Sequence, residues 1–136
     1  SRRCTYRVMP RFAILEHTGA PDDPAGRHFD LLIEAGEACR TWRLAALPVP
    51  GGQSVAASEL PPHRLAWLDI VESDVSGGRG HARRVDAGTY GPIGIEADSV
   101  ASSTCLVLLL GGAVFRGRLR LEVVANGWAA SAGDPA

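Results

Sequence analysis

The chain has 136 residues and a formal net charge of −1; the length fits one domain with its own core, and the charge gives no overall pull toward nucleic acid or membrane. All 14 basic residues are arginine, which excludes mechanisms that need a lysine amine: lysine-adenylate nucleotidyltransferases, Schiff-base enzymes and P-loop NTPases. Cys4, Cys39 and Cys105 are odd in number and far apart, so they read as free thiols of a reducing compartment. The opening Ser1 to Tyr6 lacks the apolar core of a signal peptide, and Cys105 to Leu110 is too short to cross a bilayer, which predicts a soluble cytoplasmic protein without membrane contact.

Nine prolines and 16 glycines cut the chain into short pieces, none of which sustains a helical period. The expectation is an all-β, mainly antiparallel protein. Candidate strands are Arg11 to His17, His28 to Glu34, Arg40 to Ala45, Arg64 to Val71, His81 to Asp86, Gly91 to Ala97, Cys105 to Leu110 and Val114 to Val124. Ser54 to Leu60 reads as a short helical turn that Pro61 and Pro62 end. Eight strands predict a closed or nearly closed β-barrel with at most short helical turns. Residues 1–10 are then an N-terminal extension and 11–128 the barrel; the small residues after Asn126 predict fraying, with 129–136 as a flexible tail.

The chemistry concentrates in His28-Phe29-Asp30-Leu31-Leu32-Ile33-Glu34. In an extended strand His28, Asp30, Leu32 and Glu34 share one face, while Phe29, Leu31 and Ile33 share the other. An imidazole and a carboxylate two residues apart can bind one divalent cation from the same side of a sheet, and His17 is a candidate third ligand. The stretch from Thr18 to Arg27, rich in Gly, Pro and Asp, predicts a surface loop joining the strands of His17 and His28 into a hairpin. Ser76-Gly77-Gly78-Arg79-Gly80 is a second glycine-rich loop, a weak signal for a phosphate cradle without a following helix or a lysine. Near the end, Arg116, Arg118 and Arg120 alternate with Leu119 and Leu121, a stripe that reads equally as a solvated outer face or as a track for a nucleic-acid backbone.

Several of these segments, in order, resemble the 3′-phosphoesterase domain of bacterial DNA ligase D and its small stand-alone homologues. Arg11-Phe12-Ala13-Ile14-Leu15-Glu16-His17 is similar to the family's opening strand and first histidine, and His28-Phe29-Asp30 to its H-[YFW]-D core. Thr41-Trp42 resembles its Ser/Thr-Trp pair, and His63-Arg64-Leu65-Ala66-Trp67 the segment with its phosphate-binding histidine. Gly80 through Val85-Asp86-Ala87-Gly88-Thr89-Tyr90 resembles a G-x-V-x-x-W-D-x-G-T-[WY] strand and turn, and Phe115 to Leu121 the closing L-x-G-R-[FW]-x-L strand. The similarity runs from about Arg11 to Trp128.

The resemblance implies an eight-stranded barrel with a manganese-dependent site that trims 3′ ends of DNA or RNA-DNA primer-templates, leaving a 3′-hydroxyl for a repair ligase or polymerase. His17, His28 and Asp30 fall on the metal ligands, and His63 on the catalytic histidine that contacts the scissile phosphate. The ligand set also accepts Zn or another divalent cation. Glu16, beside the first ligand, is a candidate to support it. Three positions depart from the family: Leu32 stands where it has an arginine two residues after the aspartate, Trp67 replaces a tyrosine, and no lysine follows the tryptophan strand. The loop between His17 and His28 is also longer. Arg43, Arg64 and Arg118 are the arginines available to replace the lost contact, with Arg64 and Arg118 assigned to substrate binding. Two other readings stand beside this one: a catalytically weakened barrel of the same ancestry that binds nucleic acid or a repair partner, and a small cupin-like metalloprotein.

Overall fold

A computed structural model describes residues 8–133. Cys4, most of the expected N-terminal extension and the last three residues of the expected tail lie outside the described residues. Nine strands form: β1 (Arg11–Thr18), β2 (Arg27–Ala35), β3 (Ala38–Leu44), β4 (Val55–Arg64), β5 (Glu72–Asp74), β6 (His81–Pro92), β7 (Cys105–Gly112), β8 (Arg116–Val124) and β9 (Gly127–Ala132). The strand order is β1-β2-β3-β4-β9-β8-β7-β6, and β6 pairs back onto β1, so eight antiparallel strands close a barrel, as expected. β5 is a ninth strand on the first residues of β6, where β7 does not reach. Helical structure among the described residues is limited to 3-10 turns at Leu65–Asp69 and Ala97–Ser99, so no helix there is long and apolar enough to cross a membrane.

The strands differ from expectation in three places, each for a physical reason. Val55–Arg64 is a strand, and the helical turn follows it at Leu65–Asp69, in place of the expected strand Arg64 to Val71, rather than preceding Pro61. β9 covers β4 only from Val55 to Ala57, so the two prolines sit where β4 has a single neighbour, β3, and where the register with β3 slips by one residue. An edge with a bulge tolerates residues that have no N–H to donate. Secondly, His81–Pro92 is one continuous strand, without a turn at Gly88, and the expected strand Gly91 to Ala97 keeps only its first two residues, as part of it. Gly88 is required by close approach instead: a Cβ there would collide with the carbonyl oxygen of Gly111 on β7. Thirdly, Gly127–Ala132 does not fray but forms β9, joining β8 to β4. Its composition is poor in strand formers, so packing decides; Ala130 is fully buried and Trp128 meets Trp42 edge-on at 5.3 Å.

Strand alternation makes two cores. The interior cluster draws Phe12, Leu31, Trp42, Ala57, Tyr90, Leu108, Leu121 and Ala130, one from each barrel strand. The opposite faces of β1, β2 and β3 would lie bare, but Ala13, Leu15, Leu32 and Cys39 are covered by Leu68 of the first 3-10 turn, together with Ala82 of β6 and the partly buried Trp67 and Val75. Asp86, buried on β6, accepts hydrogen bonds from the backbone N–H groups of Ala113, Val114 and Phe115 and so fixes the β7–β8 turn. The candidate site occupies the outer face of β1 and β2, beyond the end of that smaller core.

Candidate metal centre

In the β1–β2 register His17 stands opposite His28, and Leu15 opposite Asp30. Because side chains alternate, all four project outward, and the two imidazoles with the Asp30 carboxylate converge. His17 Nδ1 lies 3.4 Å from one Asp30 oxygen, and His28 Nε2 lies 3.3 Å from the other. The rings meet edge to face with centroids 4.7 Å apart, and one ligand atom from each residue falls within 4.8 Å of the others. Ligands sharing an ion at about 2.1 Å stand about 3.0–3.4 Å apart for octahedral to tetrahedral angles. His28 Nε2 and Asp30 Oδ1 are buried and make no hydrogen bond, so both are free to bind an ion. These three residues can therefore hold a metal ion.

The surrounding backbone and side chains select which nitrogen each histidine offers. His17 Nε2 donates to the carbonyl of Arg79 at 2.7 Å, so Nδ1 carries the lone pair toward Asp30. His28 Nδ1 donates to Asp23 Oδ2 at 2.8 Å, which leaves Nε2 for the ion. Carbonyl and carboxylate partners on the far nitrogen are the usual means of fixing the tautomer and raising the basicity of a metal-binding imidazole. Burial pulls the His28 pKa down, yet the carboxylates of Asp30 and Asp23 outweigh it and the net shift is upward. The same contact with His28 holds Asp23 below the usual carboxylate range. Asp23 itself is placed by its loop: Oδ1 accepts from the Ala25 N–H, and the Asp23 N–H donates to the Ala20 carbonyl.

The centre opens onto a cleft of about 710 Å³. Its lining includes His17, Asp30 and Leu32 from the sheet, Arg43 from β3, His63 and Arg64 from β4, Trp67, and Ser76 and Arg79 from the glycine-rich β5–β6 loop. Of the sequence candidates, His63 and Arg64 thus share a cleft with the ligands. His63 Nδ1 is held by the Pro61 carbonyl at 3.0 Å, and its ring lies edge-on to Trp67 at 5.8 Å. Arg118 does not reach the cleft. It stands exposed on β8, which faces away across the barrel from β2, with β1, β6 and β7 between them one way and β3, β4 and β9 the other. Glu16 projects to the opposite side of β1 from His17 and pairs with Arg27 and Arg83. Leu32 is fully buried in the outer core.

Asp23 and the Arg79 carbonyl were not among the sequence candidates. Asp23 lies in a turn-rich loop where an aspartate is ordinary, and a carbonyl carries no side-chain signal. The glycine-rich loop, read as a weak phosphate cradle, here supplies the acceptor for His17. No family model and no curated protein matches the chain.

Proposed function

We propose that the protein is a metal-dependent phosphoesterase that processes 3′ ends of DNA or RNA-DNA primer-templates in the cytoplasm, with Mn2+ as its ion and a repair ligase or polymerase as the enzyme that uses its product. The observation that carries this reading is the opening of the His17–His28–Asp30 cluster into a cleft bordered by His63, Arg64 and Arg79, which suits a phosphate ester. The colinear resemblance described above supports the choice of 3′ ends and of manganese; the ligand set alone accepts zinc as well. His17, His28 and Asp30 would hold the divalent ion, which would supply Lewis acidity toward a phosphoryl oxygen and toward water. His17 and His28 present lone pairs whose direction Arg79 and Asp23 set. His63, held at Nδ1 by Pro61, presents Nε2, and once protonated there it donates to a phosphoryl oxygen as negative charge builds.

Leu32 favours a second reading, because a buried leucine stands where the related enzymes carry a phosphate-binding arginine. In that case the barrel binds nucleic-acid ends or a repair partner without turning them over. The deciding experiment incubates the protein with primer-templates ending in a 3′-phosphate or a 3′-ribonucleotide, with and without Mn2+, beside His28→Ala. Release of phosphate or nucleoside that requires both the ion and His28 supports the phosphoesterase. Duplex binding without turnover supports the second reading.

A further inference from the structure

We propose that Arg43 is the oxyanion ligand of the cleft, binding a phosphate group beside the His17–His28–Asp30 centre; the identity of the anion as substrate phosphate rests on the phosphoesterase reading. Two arginines of β3 show opposite behaviour. Arg40 is buried and spends its guanidinium on four hydrogen bonds, two to Glu59 and one each to the Val100 and Ser103 carbonyls. Arg43, on the other face, is only 25% exposed, yet among the described residues it makes no hydrogen bond, and its Nε is buried without a partner. Its salt bridge among the described residues is with Asp22 at 3.4 Å, at the cleft mouth, where that carboxylate is 71% exposed; Asp23 and His28 feel its charge without bonding to it.

Burying a guanidinium N–H such as Arg43 Nε without an acceptor is costly, so this arrangement points to an acceptor that enters from outside. Position specifies which. Arg43 lies directly across from Asp30 in the β2–β3 register and lines the same cleft. An anion on the guanidinium therefore sits next to the metal ligands. The planar fork of donors matches two oxygens of a phosphate. Leu32 adds no charge, Arg79 is engaged with Ser76 through two hydrogen bonds, and Arg64 pairs with Ala38 at the other end of β3, so Arg43 is the arginine that the sheet sets directly across from Asp30. Asp22 then acts as a placeholder that an incoming phosphate displaces.

The test titrates inorganic phosphate into the Mn2+-loaded full chain by calorimetry, comparing wild type, Arg43→Gln, Arg43→Lys and Asp22→Asn. Arg43→Gln is expected to weaken phosphate binding about tenfold to a hundredfold with Mn2+ affinity retained, and Arg43→Lys to recover part of that loss. Asp22→Asn is expected to tighten binding, a gain that misfolding does not produce. Phosphate affinity unchanged in Arg43→Gln, or no phosphate binding by wild type, overturns the proposal. Failure to turn over a 3′-phosphorylated primer strikes the phosphoesterase reading instead, because the phosphate titration decides Arg43 without turnover.

Discussion

The Asp23 carboxylate accepts a 2.8 Å hydrogen bond from His28 Nδ1, so a residue of the loop between β1 and β2 governs which nitrogen of a buried strand histidine faces the metal site. Asp23→Ala is expected to weaken Mn2+ binding about tenfold to a hundredfold, the usual consequence of removing such a partner, while the barrel stays folded. Metal titration with circular dichroism as the folding control checks this. Asp23→Asn is informative too, because its amide oxygen can still accept from Nδ1 and should lose less.

The raised pKa of His28 sets the sign of the pH dependence. Protons compete with the ion for Nε2, so Mn2+ affinity should fall on the acid side, roughly tenfold per pH unit for one proton, with a midpoint above the ordinary imidazole value of 6.5. In the metal-free protein the sense is reversed. Protonated His28 between its carboxylates contributes stability that is full below the unfolded-state pKa and is lost as pH rises through the raised value. Asp23, shifted downward, contributes above its unfolded-state value and loses that contribution as pH falls through its lowered one. Urea midpoints and metal isotherms measured across pH 5 to 8 should therefore move in opposite directions with pH. A midpoint of metal binding well below 6.5 contradicts this account.

Asp86 tests the architecture rather than the site. Its carboxylate satisfies three backbone N–H groups of the β7–β8 turn, so Asp86→Ala leaves those donors without their buried acceptor. The expected cost is about 3 kcal/mol, read as a shift in the denaturation midpoint.

Ending the chain after Asn126 removes β9 and leaves β4 and β8 each with an open edge, so the barrel no longer closes. It also strips Trp128 from Trp42. Such a truncated chain is expected to lose cooperative unfolding, whereas ending after Ala132 should leave the transition intact; thermal melts of the two chains check this.

The first hairpin was legible because its residues obey a single rule. Phe12 and Ile14, like Phe29, Leu31 and Ile33, alternate with outward residues, so the shared face of His28 and Asp30 and the approach of His17 followed from strand geometry. Where local signals and long-range packing disagree, the reading departed from the structure. Pro61 and Pro62 look like a stop, but a one-sided, bulged strand accepts them. Gly88 looks like a turn, but it answers to a carbonyl on another strand. The alanines of β9 look like a tail and are held by contacts from three other segments of the barrel. Arg118 matches the pattern of a binding arginine, yet barrel closure carries it to the far wall. The supports of the site, Asp23 and the Arg79 carbonyl, come from loops whose positions depend on the finished fold.

The most direct measurement is a calorimetric Mn2+ titration of the full chain and of His17→Ala, His28→Ala and Asp30→Asn, each confirmed folded. One ion per chain is expected in the wild type, with loss of most of that affinity in each of the three variants. Binding that survives undiminished in His28→Ala, or a folded wild type that takes up no divalent cation, would contradict it.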